Sequence, residues 1–188
     1  MEHKGTVPLE TERLLLRRFT EDDARAMFRN WANDPVVTEY LTWNAHKTVL
    51  TVKSTLADWI SNYARPDFYQ WAIVPKLVNE PVGTISVVDR RDDIFSVELG
   101  WCLGRIWWGK GMMPEAGKAV LDYLFREVGM NRITACHDIH NPKSGRVMEK
   151  LGMQKIGVLP AEGRNNRGEL VDMVCYAILI DDWLRSAE

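Results

Sequence analysis

Apolar and polar positions along this chain follow two periods, and the switches between them outline its elements. Leu14, Leu15 and Leu16 lie in an apolar run over 13–19 that predicts a strand. Thr20-Glu21-Asp22-Asp23 then supplies an N-cap and an acidic first turn, which predicts a helix to Trp31. Asp34-Pro35 breaks that helix, and 36–44 reads as irregular or short helix. Val52, Leu56, Trp59, Ile60 and Tyr63 recur at helical spacing and predict a second helix over 48–63. Runs at 69–74 and 81–88 read as strands around the turn Val78-Asn79-Glu80; a charged turn at 89–93 leads to a third run at 96–103. Together these three form an antiparallel meander. Pro114 opens an amphipathic helix to Glu127, and Arg132 to Cys136 is the next strand, a strand–helix–strand crossover. Asn141-Pro142-Lys143-Ser144 starts a helix that stops at Leu151-Gly152, and strands at 154–159 and 170–178 close the chain around a polar Gly/Asn/Arg loop.

Composition narrows the class. With 188 residues, 46% hydrophobic and 27% charged, the chain is expected to form one globular domain able to bury its own core. Lys and Arg number 24 against 26 Asp and Glu, so there is no global positive field to attract nucleic acid or an anionic membrane. The three cysteines, Cys102, Cys136 and Cys175, are far apart and sit in apolar runs, which argues against a disulfide framework or a zinc spacing and for a reducing compartment. No apolar leader opens the chain, and no run approaches the roughly 18 apolar residues of a membrane span. A cytoplasmic protein is expected; a homodimer is left open.

Candidate chemistry concentrates between Arg105 and Glu115. Here Trp107-Trp108-Gly109-Lys110-Gly111-Met112-Met113-Pro114 joins an apolar strand to a helix. Free N–H groups at a helix N-terminus carry a partial positive charge, and glycines let the backbone approach an anion such as pyrophosphate. The same glycines also serve a plain connection that needs φ > 0. Neither GxxxxGK[ST] nor GxGxxG is present. In the preceding strand, Val97, Leu99, Trp101 and Leu103 share one face and Glu98, Gly100 and Cys102 the other. A carboxylate there is an ion-pair partner, an exposed group or a general base.

Glu98-Leu99-Gly100-Trp101-Cys102-Leu103, then Trp108-Gly109-Lys110-Gly111-Met112-Met113-Pro114-Glu115-Ala116, then Asn141-Pro142-Lys143-Ser144 and Lys150-Leu151-Gly152-Met153, resemble the GNAT superfamily of acetyltransferases, closest to its RimJ/RimL-like branch. The opening Glu10-Thr11-Glu12-Arg13-Leu14-Leu15-Leu16-Arg17 resembles that branch too. The resemblance implies an α/β fold with a mixed, strongly twisted central sheet of about six to seven strands, splayed into a V and flanked by helices on both faces. It implies acetyl-CoA as co-substrate without a metal, with pyrophosphate on Trp108, Gly109, Lys110, Gly111, Met112 and Met113, and the acetyl-pantetheine arm on the backbone of Trp101, Cys102 and Leu103.

By the same resemblance Asn141 would hydrogen-bond the pantetheine arm or the substrate, and Ser144 would meet the sulfur or a nearby water; both residues also suit a helix start. Many GNAT enzymes carry a tyrosine acid seven residues after this asparagine, whereas this chain has Met148. A thiolate of pKa near 8.5 needs little help to leave, so Ser144 is assigned a hydrogen-bonding role in catalysis. Glu98 is the candidate base, and Glu98 and Trp43 the candidate acceptor contacts. The acceptor is an amine, either a protein N-terminus or a small molecule. An α-amino group, with pKa about 7.7 to 8.0 against about 10.4 for lysine, needs only weak deprotonation. Two alternatives remain, a detoxifying acetyltransferase for an antibiotic or polyamine, and a non-catalytic acyl-CoA sensor. An acetyl-cysteine on Cys102 ranks low, because a cysteine in an apolar strand behaves as a small hydrophobe. His137 and His140 read as loop histidines.

Overall fold

The computed structural model describes residues 1–186. Strands β1 (Leu9–Glu10) and β2 (Leu14–Arg17) lead into a helical segment, Glu21–Ala32, whose α-helical turn is α1 (Ala24–Met27). There follow α2 (Pro35–Thr38), α3 (Val49–Asn62), β3 (Gln70–Pro75), β4 (Gly83–Arg91) and β5 (Ser96–Leu103). The second half runs α4 (Met112–Asp122), continued as a π-helical turn to Val128, β6 (Arg132–Asp138), α5 (Pro142–Lys150), β7 (Gln154–Arg164), β8 (Leu170–Leu179) and α6 (Ile180–Ser186). One mixed sheet holds all eight strands in the order β1-β2-β3-β4-β5-β6-β8-β7, slightly more than the six or seven expected. The extra strand is β1, a two-residue bridge to β2 too short to leave a periodic signal. The 89–93 segment is also less of a turn than its charges suggest, since Asp89–Arg91 extend β4 and pair with Ser96–Glu98.

Helices cover both faces. β3 shows why: all six of its residues are buried, with Trp71 and Ile73 in the core shared with α4 and α5, and Ala72 and Val74 in the core under α1 and α3. A strand covered on both sides reads as a continuous apolar run, as 71–74 does. Local chemistry sets the ends of the helices. Thr48 Oγ1 accepts from the Thr51 N–H at the start of α3, and Asp34 accepts from the Val36 N–H at the start of α2. Gly129, at φ +82°, ends the helix that begins at Met112.

The parallel pair β5–β6 is the feature that matters for function. It is in register only at Ser96–Arg132, Val97–Ile133 and Glu98–Thr134. Beyond Glu98 the strands diverge, leaving Leu99–Leu103 paired with β4 alone and Ala135–Asp138 paired with β8 alone. The expected V-shaped splay therefore opens immediately after Glu98.

β8 inserts antiparallel between β6 and β7 and sets Cys136 directly opposite Cys175. Their sulfurs form a disulfide, with Cα atoms 4.2 Å apart. The expectation of no disulfide is corrected here, and the argument for a reducing compartment loses its premise. Thirty-nine residues separate the two cysteines along the chain, and only strand register brings them together. Cys102 alone remains a free thiol. Among the described residues no helix is long and apolar enough to cross a membrane.

Candidate active site

A cleft of about 820 Å³ enters the V between β5 and β6. Its walls are the Leu99–Leu103 stretch of β5, the turn before α4, the start of α5, the end of β6 and the Val36–Leu41 loop. The turn is shaped by Gly109 at φ +73° and Gly111 at φ +76°, with Gly111 as the N-cap of α4. L-residues with side chains avoid that conformation, which is the physical reason for two glycines around Lys110. Glu115, in the first turn of α4, ties this turn to β2. It accepts from Thr11 Oγ1 at 2.6 Å, the Arg13 N–H at 3.0 Å and Arg13 Nε at 2.6 Å, while Arg13 Nη1 donates to the Lys110 carbonyl. The opening segment of the chain thus buttresses the loop.

Ladder alternation decides which β5 amides face the split. Gly104 N–H donates to the Val82 carbonyl, and Gly83 pairs with Leu103, so Gly104 and Cys102 turn their amides to β4 while Leu103 and Trp101 turn theirs toward the cleft. Trp108 Nε1 donates to the Leu103 carbonyl at 2.6 Å and fixes that edge. The backbone set narrows from three residues to two.

Asn141 and Ser144 come together on the opposite lip. Asn141 Nδ2 donates to Ser144 Oγ at 3.1 Å, which leaves the hydroxyl proton free to point into the cleft. Met148 is buried beneath them. Trp101, Cys102, Leu103, Trp108, Gly109, Gly111, Met112, Met113, Asn141 and Ser144 all line the cleft. Three expected residues do not. Lys110 carries its ammonium 5.1 Å above the Trp107 ring. Trp43 packs on the α1–α3 core with its ring 5.1 Å from His46.

Glu98 opens instead into an adjoining cavity of about 170 Å³ with Asp89, Arg132 and Thr134. Cys136 borders both spaces. Burial pushes the Glu98 carboxyl up from its ordinary value, and the charges of Asp89 and Glu162 add to this against the pull of Arg132. Burial also pushes the Cys102 thiol up to about 12, which keeps it neutral and makes it a poor nucleophile.

Sequence reasoning missed several wall residues. Lys143, Arg146 and Lys150 line the cleft from α5, and Glu39, Tyr40, Asp138 and Met173 are also on its wall. The spacing of the three cations was visible in the sequence; the loop residues gave no signal. His137 is buried with Nδ1 2.8 Å from the Asp138 carbonyl oxygen, and His140 Nδ1 lies 3.0 Å from Asp138 Oδ1. No group of three or more metal-ligating side chains occurs among the described residues.

The sheet of this chain splits after its third parallel rung, with the N-terminus of α4 beside the opening. The sequence profile of the acetyltransferase (GNAT) domain matches residues 13–154. The chain belongs to the GNAT acetyltransferase family. It is 30% identical over 173 residues to the uncharacterized N-acetyltransferase p20 of Bacillus licheniformis, covering 91% of this chain and 95% of that one. Over 93 residues, half of this chain and 47% of the relative, it is 33% identical to the ribosomal protein uS5-alanine N-acetyltransferase of Escherichia coli. The fold also matches that of RimL, a ribosomal alpha-N-protein acetyltransferase solved in complex with coenzyme A, with a TM-score of 0.82 at 18% identity, covering 94% of this chain and 99% of that one. RimJ/RimL-like relatives thus bracket this GNAT member in both sequence and fold.

Proposed function

We propose that this acetyltransferase moves an acetyl group directly from acetyl-CoA to a primary amine, a protein N-terminus or a small molecule. The observation that carries the reading is one cleft lined in sequence by the two-glycine turn, the β5 edge released from β6, and the Asn141–Ser144 pair. Pyrophosphate binds at the α4 N-terminus, where the dipole and the backbone favour an anion. The pantetheine arm follows the released edge of β5 and is held by Asn141. The amine nitrogen attacks the thioester carbonyl carbon, and the N–H groups of Trp101 and Leu103 donate to the oxygen as it gains charge. Collapse breaks the carbon–sulfur bond and expels the CoA thiolate, to which the Ser144 hydroxyl donates a hydrogen bond.

The proton released by the amine goes to Glu98. Because Glu98 opens into the adjoining cavity, a bridging water carries that proton. A raised carboxyl pKa suits the task, since a base closer in pKa to the amine accepts its proton more readily. The ribosomal-protein relatives support a protein N-terminus as acceptor. Glu39 and Asp138 on the cleft wall favour a second reading, a cationic small molecule such as a polyamine or aminoglycoside.

Thiol release from acetyl-CoA, followed across N-terminal peptides, lysine peptides, polyamines and aminoglycosides, tests both readings. Faster release with N-terminal peptides is the expected result, and preference for polyamines or aminoglycosides would select the second. Tight CoA binding by calorimetry with no acceptor accelerating release would overturn both in favour of a non-catalytic acyl-CoA sensor.

A further inference from the structure

In the β4–β5 ladder Val87 pairs with Leu99 and Asp89 pairs with Glu98, so Val88 is an extra residue, a β-bulge. A regular ladder would set Val88 opposite Glu98 and turn Asp89 to the other face beside Val97, which lies in the core shared with α4 and α5. The bulge instead brings both side chains to the face of Glu98. Val88 covers Gly100, where a Cβ would come within 2.7 Å of its Cγ1, and Asp89 lines the cavity of about 170 Å³ with Glu98. The charged groups that face Glu98 there come from three strands: Asp89 and Arg91 from β4, Arg132 from β6 and Glu162 from β7. Glu162 stands in the unpaired stretch of β7 between Leu159 and Gly163. Neither cation closes on Glu98, since Arg132 Nη1 donates to Ser96 Oγ at 3.4 Å and Arg91 lies 3.8 Å from Asp93. The Glu98 carboxylate accepts no hydrogen bond and forms no ion pair among the described residues.

Like charges directly opposite each other on a ladder destabilise it, so folding alone does not favour Asp89 in this place. β-Bulges recur beside active sites, where they re-aim a side chain. We infer that Asp89, turned onto Glu98 by the bulge at Val88, is a positioning residue whose negative charge makes Glu98 a stronger proton acceptor. This rests on the reading of Glu98 as the base. A like charge nearby disfavours an ionised carboxylate, and after burial Asp89 is the foremost cause that pushes the Glu98 carboxyl up. Asp89 is itself exposed, so it acts through space and salt screens it. At a separation of about 6 Å in a water-like dielectric, one unit charge changes a proton equilibrium about threefold.

The pH profile of kcat for the whole chain, with acetyl-CoA and an N-terminal peptide both saturating, tests this. In Asp89→Asn the acid limb is expected to move to lower pH, so that well down the limb the variant keeps about threefold more of its plateau rate than the wild type does. The difference should shrink in added salt. Glu162→Gln should move the limb the same way by less, and Asp89→Glu should keep the wild-type limb. Thermal melts should show Asp89→Asn folded and at least as stable as the wild type. Asp58→Asn, on α3 and in neither cavity, removes the same charge and should leave the limb in place. A folded Asp89→Asn with an unmoved limb, or an equal move in Asp58→Asn, would overturn the inference. If Glu98→Gln keeps the wild-type acid limb, or the wild type shows none, the base reading itself fails and this inference falls with it.

Discussion

At the α4 end of the cleft the space is faced by backbone, with two glycines at positive φ, a helix N-terminus and a strand edge released from its neighbour. At the Tyr40 end it is faced by side chains on loops that meet only across the fold: Asn166 Nδ2 donates to the Thr38 carbonyl, and Asn44 Nδ2 donates to the Asn166 carbonyl. Those contacts span 128 and 122 residues of sequence. The geometry of the first end is set by backbone conformation within a few residues. The second end depends on two loops that can change sequence without disturbing the sheet. Glu98 lies at the last rung before the split, in the cavity beside the cleft.

Three substitutions separate these regions, beginning with the largest effect. Glu98→Gln is expected to lower kcat by about 10²-fold or more while leaving CoA affinity unchanged. The wild-type rate should fall as pH drops through the raised Glu98 pKa, and that acid limb should vanish in the variant. A carboxyl with a raised folded-state pKa stabilises the fold below its unfolded pKa, and this contribution disappears as pH rises through the folded value. Thermal melts at neutral pH should therefore show Glu98→Gln as stable as the wild type or more so. An unchanged pH–rate profile would remove Glu98 from proton transfer.

Gly111→Val acts at the other end. Forcing a β-branched residue to φ +76° costs about 1–3 kcal/mol, so the turn rearranges and CoA should bind about tenfold more weakly, with the acceptor KM little changed. Asn166→Ala has the smallest effect and the opposite pattern. Losing the bond to Thr38 costs about 1 kcal/mol, so the acceptor KM should rise about fivefold at constant CoA affinity. If instead Asn166→Ala weakens CoA binding, the two ends are not independent.

The legible parts of the molecule are those whose physics is local. The strand at Ser96–Leu103 and the helix after Asn141 appear where hydrophobic period and capping residues place them, and Gly109 and Gly111 show the positive φ that a glycine-flanked lysine implies. Helix α6 escaped notice because the apolar run of β8 passes into Ile180 without a breaking residue. Lys110 drew attention as the charge inside the loop, yet it stacks over Trp107, while the cations that face the cleft stand on α5. Rotamer choice and neighbouring rings decide such a question, and neither has a sequence period.

Alternation, caps and glycines, each acting within a few residues, were enough to outline most of the order of elements, and the likeness of whole motifs, not any period, carried the acetyltransferase family. The tertiary structure alone decided how far β5 and β6 stay paired, which amides of β5 turn to the cleft, that Cys136 meets Cys175, and that Glu98 sits in a cavity beside the cleft rather than in it. All four depend on strand register, and register is set by contacts between residues far apart in the chain.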